Sequence, residues 1–554
     1  MLPNILDALA QLNTSQLCAS ALAVAAVVYL QPYLVDSHFI RRNGITGPFF
    51  ARFSDAWLGW VAAHGNRSVV VHKLHKKYGL FVRLAPNHVS ISDPEALHIV
   101  YGHGSGTLKS DYYDAFLAIR HTVLTTRDRE DHSMKRKLVA PIFSQKSVLG
   151  FEPCVHSHVT ELFEQWDKLC DGGKQGLTGN AGKGGWKGRD GRVWFDALPW
   201  LYYMCFDIIG DLVLGAPFNM VHKGTDTVPV ALEPSAVIAQ YGQSSITGSH
   251  DTEKPICAVK EAPAMELMNG RSAVIASLGV LPPWWRPIAS LFPWYARGNR
   301  DVGDLAGFAT LAISKRLARP TEPLGLLSAL LELKDDEGKP LSKEQLSADG
   351  LLLLIAGSDM VANPTCAVLY QIIANPPVQA KLQKELDDAL GAPSPSDDSV
   401  STYSQINHLP YLEAVINEAL RVHPMVGLGL PRVVPASGLT VCGKHFPEGT
   451  VLSVPTYTIH RDKEVWGEDA DTFRPERWFE GDKSTMQKVF NAYSYGLRAC
   501  AGRVLANVEL QIFISSIFRR YEFVLEEPEN PVEVFEGFIM RPKSCRVGMK
   551  RRAI

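Results

Sequence analysis

No CxxC pair, no zinc-like spacing and no even set of cysteines occurs in this chain of 554 residues; its nine cysteines are scattered singly. A disulfide framework and a zinc cluster are therefore excluded, and a reducing environment is indicated for the bulk of the chain. There is no basic excess either. The formal net charge is -2, so no broad positive surface advertises nucleic acid as a partner. A nucleotide-binding loop is also missing. Gly102-His103-Gly104-Ser105-Gly106 is not a GxGxxG opening a helix after a strand. Gly106-Thr107-Leu108-Lys109-Ser110 lacks the Walker order, in which Gly directly precedes Lys. If the chain is an oxidoreductase, its electrons must come from another protein.

What is present is an ordinary globular composition, 46% apolar and 21% charged. The length would allow several domains, but no long linker divides the chain. The N-terminus departs from this pattern. From Ala8 to Val35 there is no charged residue, with an apolar heart from Leu17 to Leu30. Polar flanks lengthen that run toward the ~20 residues that span a bilayer. A cleaved signal peptide would carry a basic n-region, and none precedes the run. Arg41 and Arg42 follow it, which places the body of the protein in the cytosol. Residues 1–46 are thus expected to be a single-pass membrane anchor, with Gly47-Pro48 as a stiff hinge. Asn13-Thr14-Ser15 is a formal glycosylation sequon, too near the bilayer to be used. Residues 47–554 would form one catalytic domain, α+β and mainly α, with a small β-rich region.

Within that domain, Val71, Leu74, His75 and Tyr78 predict a helix ended by Gly79. Phe81–Leu84 and His88–Ile91 alternate as two strands around Pro86-Asn87. From about 127 to 440 the pattern is mainly helical. Residues 171–192, dense in Gly and Lys, predict a disordered surface insertion. A second loose region is expected over about 222–262, and short strands near 439–455 and 520–550.

The strongest chemical signal is Tyr493-Ser494-Tyr495-Gly496-Leu497-Arg498-Ala499-Cys500-Ala501-Gly502. It presents one cysteine at the start of a helix expected over 501–521. The positive helix end and its free N–H groups favour thiolate over thiol. Gly496 and Gly502 allow close approach by a flat ligand and tight local packing. Arg498 can pair with an anionic group on that ligand.

This loop resembles the haem-binding loop FxxGxRxCxG of the cytochrome P-450 superfamily, with Tyr493 in place of Phe. Two further segments match in the same order: Glu418-Ala419-Leu420-Arg421 as ExxR, and Phe473-Arg474-Pro475-Glu476-Arg477. The resemblance implies haem b with Cys500 as the iron ligand, and a structural ion network of Glu418, Arg421 and Arg477, buried and needed for haem loading. It implies His132, Arg136, Arg432 and Arg498 as partners of the haem propionates. Lys135, Lys137 and Arg503 are candidates for a basic face toward a flavoprotein reductase, though the plain solvated reading is open for all three. NADPH is implied as electron source through that reductase, with cytochrome b5 as a possible second donor, on the endoplasmic reticulum membrane.

Ala356-Gly357-Ser358-Asp359 resembles the part of the family's central helix that crosses the distal face of the haem. Gly357 would leave room for oxygen. Asp359 is an acid inside an apolar run, which is costly without a job or a partner. The family has Thr after this acid; here Met360 follows, and it cannot donate a proton. Pro364 has no N–H for the carbonyl of Met360. Either that carbonyl holds a water that relays protons from Asp359, or coupling is poor and reducing power is lost as peroxide.

The chain is also similar to fungal benzoate para-hydroxylases, in Asp111–Phe116, Thr126–Arg129, Phe206–Leu212, Ser453–Arg461, Glu536–Phe538 and Val547–Arg552. That similarity implies insertion of one oxygen atom of O2 into the para C–H of benzoate or a related small aromatic. The pocket is expected from about 103–124, Leu354–Met360, Met425–Leu430, Phe538 and Ile539, with Arg120 or His121 as candidate partners of a substrate carboxylate. Two other readings stay open: a peroxide-using or rearranging haem-thiolate enzyme, and a haem-binding protein without catalysis.

Overall fold

Apolar helices with no polar face have to be buried or to sit in lipid, and this chain has apolar helices both inside its core and outside it. The protein is described by a computed structural model covering residues 13–239, 258–318, 326–332, 338–391 and 400–552. Helix α1 (Thr14–Val35) has an apolar window that none of the other described residues covers. Asn13 caps it, accepting from the Gln16 N–H while the Gln16 side chain accepts from the Asn13 N–H. Residues 8–12 of the predicted anchor lie outside the described residues.

The body is built from α2 (Arg129–Val139), α3 (Glu152–Lys174), α4 (Ala197–Leu214), α5 (Ala264–Leu278), α6 (Pro293–Ala318), α7 (Lys343–Ile373), α8 (Pro410–Val422) and α9 (Arg503–Arg520), with shorter helices between them. Helix α7 is the axis. It packs against α4, α6, α8 and α9. Every residue of α4 except Asp211 is buried, so its continuous apolar sequence finds its solvent in α7 and α3. The α7 helix runs through Pro364 without interruption. At Gly357 a Cβ would come within 2.4 Å of Ile209 on α4. Gly357 thus lets two core helices touch.

Strands β1 (Phe81–Ala85), β2 (His88–Ile91), β3 (Leu108–Lys109), β4 (Thr178–Gly179), β5 (Trp186–Arg189), β6 (Arg192–Asp196), β7 (Arg432–Val433), β8 (Val451–Ser453), β9 (Tyr521–Leu525), β10 (Val534–Glu536), β11 (Met540–Pro542) and β12 (Arg546–Arg551) form the β-rich part. One sheet has the order β1-β2-β8-β7-β3, with β2 and β8 parallel and the other neighbours antiparallel. A second, wholly antiparallel, has the order β9-β12-β6-β5-β4. β10 and β11 form a hairpin.

Three expectations are corrected. Residues 171–192 are not a disordered insertion: they finish α3 and supply β4 and β5. Trp186 explains two of the glycines. Its ring lies over Gly172 and Gly179, where a Cβ would come within 2.5 and 2.4 Å. The described parts of 222–262 pair as strands, Thr227–Ala231 against Val259–Pro263; residues 240–257 lie outside the described residues. Gly47 is no free hinge, since a Cβ there would fall 2.2 Å from the Arg83 carbonyl and neighbouring Thr46 bridges Val82. The catalytic body therefore begins nearer Asp36, whose buried carboxylate accepts from the N–H groups of Arg41 and Arg42 and after which Ile40 enters the core.

Candidate active site

The cysteine loop is fixed from both sides. The Cys500 N–H donates to the Tyr493 carbonyl at 2.9 Å, and Ala499 N–H to Gly496 carbonyl at 3.1 Å. Gly496 has φ +70° and sits where a Cβ would meet the Tyr101 carbonyl at 1.9 Å, so only glycine fits. Gly502 has no such packing; a Cβ there would meet only Phe143, at 3.9 Å. Tyr493 is half-buried against α9, and its hydroxyl donates to Asn507 at 2.6 Å, which satisfies the polar atom that Phe would lack.

Cys500 lies just before α9, whose first residue is Arg503. Its surroundings are protein, yet its own surface is accessible, as for a group on the floor of a cleft. Burial pushes its thiol up, while the Gly502 N–H, Arg136 and Arg503 pull it down. The expected push toward thiolate is present but is outweighed by desolvation.

Above the loop lies a nest of cations. Lys109 on β3, Arg136 on α2, Arg432 on β7 and Arg498 crowd one another, and each lowers the proton affinity of Lys109 after burial itself. His132 beside them is held down to about 3 by burial, then by Arg498, Lys109, Arg136 and Arg432. Their partners are neutral. Lys109 Nζ donates to the carbonyls of Val123 and Leu124 at 3.0 and 2.6 Å, and Arg136 to Ala499 at 2.9 Å. Arg432 donates to the Tyr113 hydroxyl at 2.9 Å, and Arg498 to Thr126 at 3.0 Å. None of the four makes an ion pair with a carboxylate among the described residues. Buried like charges persist only where an anion is to be met. The nest fits a flat ligand carrying two carboxylates, and so fits haem. Lys109 was missed in the sequence, where it stood inside a false phosphate motif; a lone Lys on a two-residue strand gives no signal by itself.

The ion network is assembled and buried. Arg421 Nη2 and Nε lie 2.8 Å from the two Glu418 oxygens, and Arg477 Nε lies 3.0 Å from Glu418 Oε1. Glu418, Arg421 and Arg477 are 0, 0 and 3% exposed. Trp478 Nε1 and the Arg474 N–H fill the remaining acceptor sites of Glu418 at 3.1 and 3.0 Å. Asp469, 2.8 Å from Arg477 Nη1, is drawn down to about 2, chiefly by that hydrogen bond.

Helix α7 also lines an apolar cavity of about 80 Å3. Phe116, Leu124, Ile275, Ala356, Phe538 and Ile539 give it an apolar wall, and Asp359, Met360, Arg271 and Ser272 reach it too. Asp359 is 6% exposed and held by residues the sequence did not reveal. Tyr202 of α4 donates its hydroxyl to Asp359 Oδ1, and Asn363 Nδ2 lies 2.9 Å from the same oxygen. Tyr202 is held protonated, its hydroxyl pushed far up by burial and then by Asp359. Only an unpredictable crossing of α4 and α7 brings this pair together.

Several expected pocket residues lie elsewhere. Met425–Leu430 do not reach the cavity; the Met425 carbonyl accepts from Met540 N–H at 2.8 Å and braces the turn carrying Phe538 and Ile539. His121 is exposed, and its carbonyl accepts from Gln345 at 3.1 Å. Arg120 touches the cavity rim but is exposed. Lys135 is tied to Asp131 at 2.9 Å and mostly covered, so of the three candidate surface cations only Lys137 and Arg503 are free to face a partner.

A cysteine at a helix start, a buried Glu–Arg–Arg brace and a long helix lining an apolar cavity define a haem-thiolate oxygenase. The sequence profile of the cytochrome P-450 family matches residues 56–549, and the chain belongs to that family as a monooxygenase, with haem held through a cysteine thiolate. It is 40% identical to a benzoate 4-monooxygenase of Aspergillus niger, over 96% of each chain. It is 30% identical to a pisatin demethylase of Fusarium vanettenii, over 90% of this chain and 88% of that one. A cytochrome P-450 monooxygenase of Aspergillus terreus is 28% identical, over 90% of this chain and 94% of its own.

Proposed function

We propose that this monooxygenase para-hydroxylates benzoate or a closely related small aromatic acid, with Cys500 as the haem ligand. The observation that carries the reading is the small aromatic-walled cavity, in which Phe116 and Phe538 meet edge to face at 4.8 Å. The 40% identity to the Aspergillus niger enzyme over nearly the whole of both chains supports the same substrate class. The reaction consumes one O2, NADPH and one proton; one oxygen atom enters the aromatic C–H bond, the other leaves as water, and NADP+ is the oxidised product.

Haem, bound through a thiolate, supplies the oxygen-activating chemistry. This chain's residues do the rest. Arg136, Arg432, Arg498, His132 and Lys109 would hold the propionates, and Gly496 and Gly502 would shape the cysteine loop. Glu418, Arg421 and Arg477 hold that loop's surroundings rigid for haem loading. Asp359 is the proton carrier at the cavity wall, positioned by Tyr202 and Asn363, and Ala356 faces the same space one turn earlier. The cavity walls exclude water and orient the ring.

Electrons come from NADPH through a reductase docking on the Lys137 and Arg503 side, with cytochrome b5 as a second donor. Helix α1 anchors the enzyme in the endoplasmic reticulum membrane with its body in the cytosol. Exposed Phe49, Phe50 and Trp60 next to the anchor support a membrane-facing surface. The test is benzoate turnover by the purified, haem-loaded enzyme with NADPH and a reductase. A 4-hydroxybenzoate product that requires the reductase is expected. Product formed from peroxide alone would support the peroxide-using alternative instead.

A further inference from the structure

The cavity holds an unspent cation. Arg271 on α5 lines it, and its side chain donates no hydrogen bond to any described residue. Its Nε is fully buried without an acceptor. Its one described contact is loose, the guanidinium carbon 6.0 Å from the centre of the Phe116 ring. A second guanidinium, Arg541 on β11, is buried nearby. It donates Nη1 to Asn269, while Nε and Nη2 have no acceptor. The carboxylate within electrostatic reach of Arg271 is Asp359, and it makes no ion pair with either arginine. The Oδ1 of Asp359 already accepts from Tyr202 and Asn363. Two cations therefore share one acid that pairs with neither among the described residues, and the corner is short of one negative charge. Next to Arg271, Ser272 Oγ accepts from the Phe538 N–H at 3.1 Å, and its own hydroxyl hydrogen has no acceptor among the described residues. Unpaired buried donors are expensive unless a ligand meets them.

We propose that Arg271, assisted by the Ser272 hydroxyl, is the carboxylate anchor of the substrate cavity, so that the enzyme selects monoanionic aromatic acids over neutral aromatics of the same shape. This deepens the aromatic-acid reading above and rests on it. Anchoring fixes the ring's long axis, and the carbon farthest from a carboxylate on a benzene ring is the para carbon. Arg271 thus acts on regiochemistry as well as on affinity. Burial draws its guanidinium down to about 10, against the pull of Asp359, so it stays charged at neutral pH.

The test is ligand binding to the haem-loaded enzyme, followed by calorimetry and by the ferric haem absorbance shift, with benzoate and with its neutral analogue benzamide. Arg271→Gln is expected to weaken benzoate by roughly 10- to 100-fold, the scale of a charge-assisted hydrogen bond, and to leave benzamide nearly unchanged. Arg271→Lys keeps the charge without the fork and should lose less; it carries the same test if Arg271→Gln fails to load haem. Wild-type binding of benzoate with equal binding by both variants would overturn the anchor and leave the substrate reading standing. Equal weakening of benzoate and benzamide would also overturn it, since that is a packing effect. If the wild type ignores benzoate but binds a longer aryl acid in an Arg271-dependent way, the anchor holds and benzoate falls. If no aryl acid binds better than its amide, both fall.

Discussion

Asn363 Nδ2 lies 2.6 Å from the Tyr202 hydroxyl and 2.9 Å from Asp359 Oδ1, closing a three-membered polar cluster between α4 and α7 in an otherwise apolar core. Tyr202→Phe removes a donor from the buried acid while keeping the ring. A loss of about 1–3 kcal/mol in stability is expected, together with a fall in product formed per NADPH. Thermal unfolding and the ratio of product to NADPH consumed check both; an unchanged ratio removes the cluster from proton handling.

Met360 stands where the family has a hydroxyl. Met360→Thr places a second donor beside Asp359 and is expected to lower the peroxide formed per electron. An unchanged peroxide yield would count against the relay through the Met360 carbonyl and against poor coupling alike.

The buried brace should fail sharply. Glu418→Gln takes the carboxylate from between Arg421 and Arg477 at almost no exposure, leaving Asp469 to pair with Arg477 alone. Breaking such a network costs about 3–5 kcal/mol, so little haem-loaded protein should accumulate. Asp469→Asn, at a more exposed partner, should cost clearly less. Comparing haem content per polypeptide for the two variants separates them.

Lys109 answers a different question. Lys109→Met removes one member of a crowded cation set, and haem transfer from the variant to a scavenging globin should be faster by roughly 10-fold, one charge-assisted hydrogen bond's worth. An unchanged transfer rate would exclude Lys109 from propionate binding.

Glu509, buried in α9 without a partner for Oε2, is pushed up to about 8 by burial alone. Cys154, Cys205 and Tyr493 face it. Between its ordinary value of 4.5 and about 8, the folded protein holds a proton that the unfolded chain has released. This group's contribution to stability therefore falls as pH rises through that window and levels off above it. Glu509→Gln should raise the unfolding temperature relative to the wild type more at pH 8.5 than at pH 5.5. Equal gaps at both values would mean that the carboxyl is already ionised.

The cysteine loop, the ExxR brace and the central helix were legible because their chemistry is carried by residues close together in sequence. Glu418 and Arg421 need only a helical turn to meet. Arg271, Lys109 and Tyr202 were not legible. Each is an ordinary residue whose role depends on helices and strands brought together from far along the chain. Composition misled where it stood in for packing. The glycines of 171–192 looked like freedom, and two of them, Gly172 and Gly179, are the flat bed of Trp186.

The placement of β12 sets an order on biosynthesis. The strand made last, Arg546–Arg551, is not at the margin of its sheet but between β9 and β6. While the final residues are still in the ribosome, β6 and β9 have no common neighbour and their edges stay open. The apolar helix α1, by contrast, emerges well before β12. Pairing of β12 with both neighbours is thus the late event that closes this sheet.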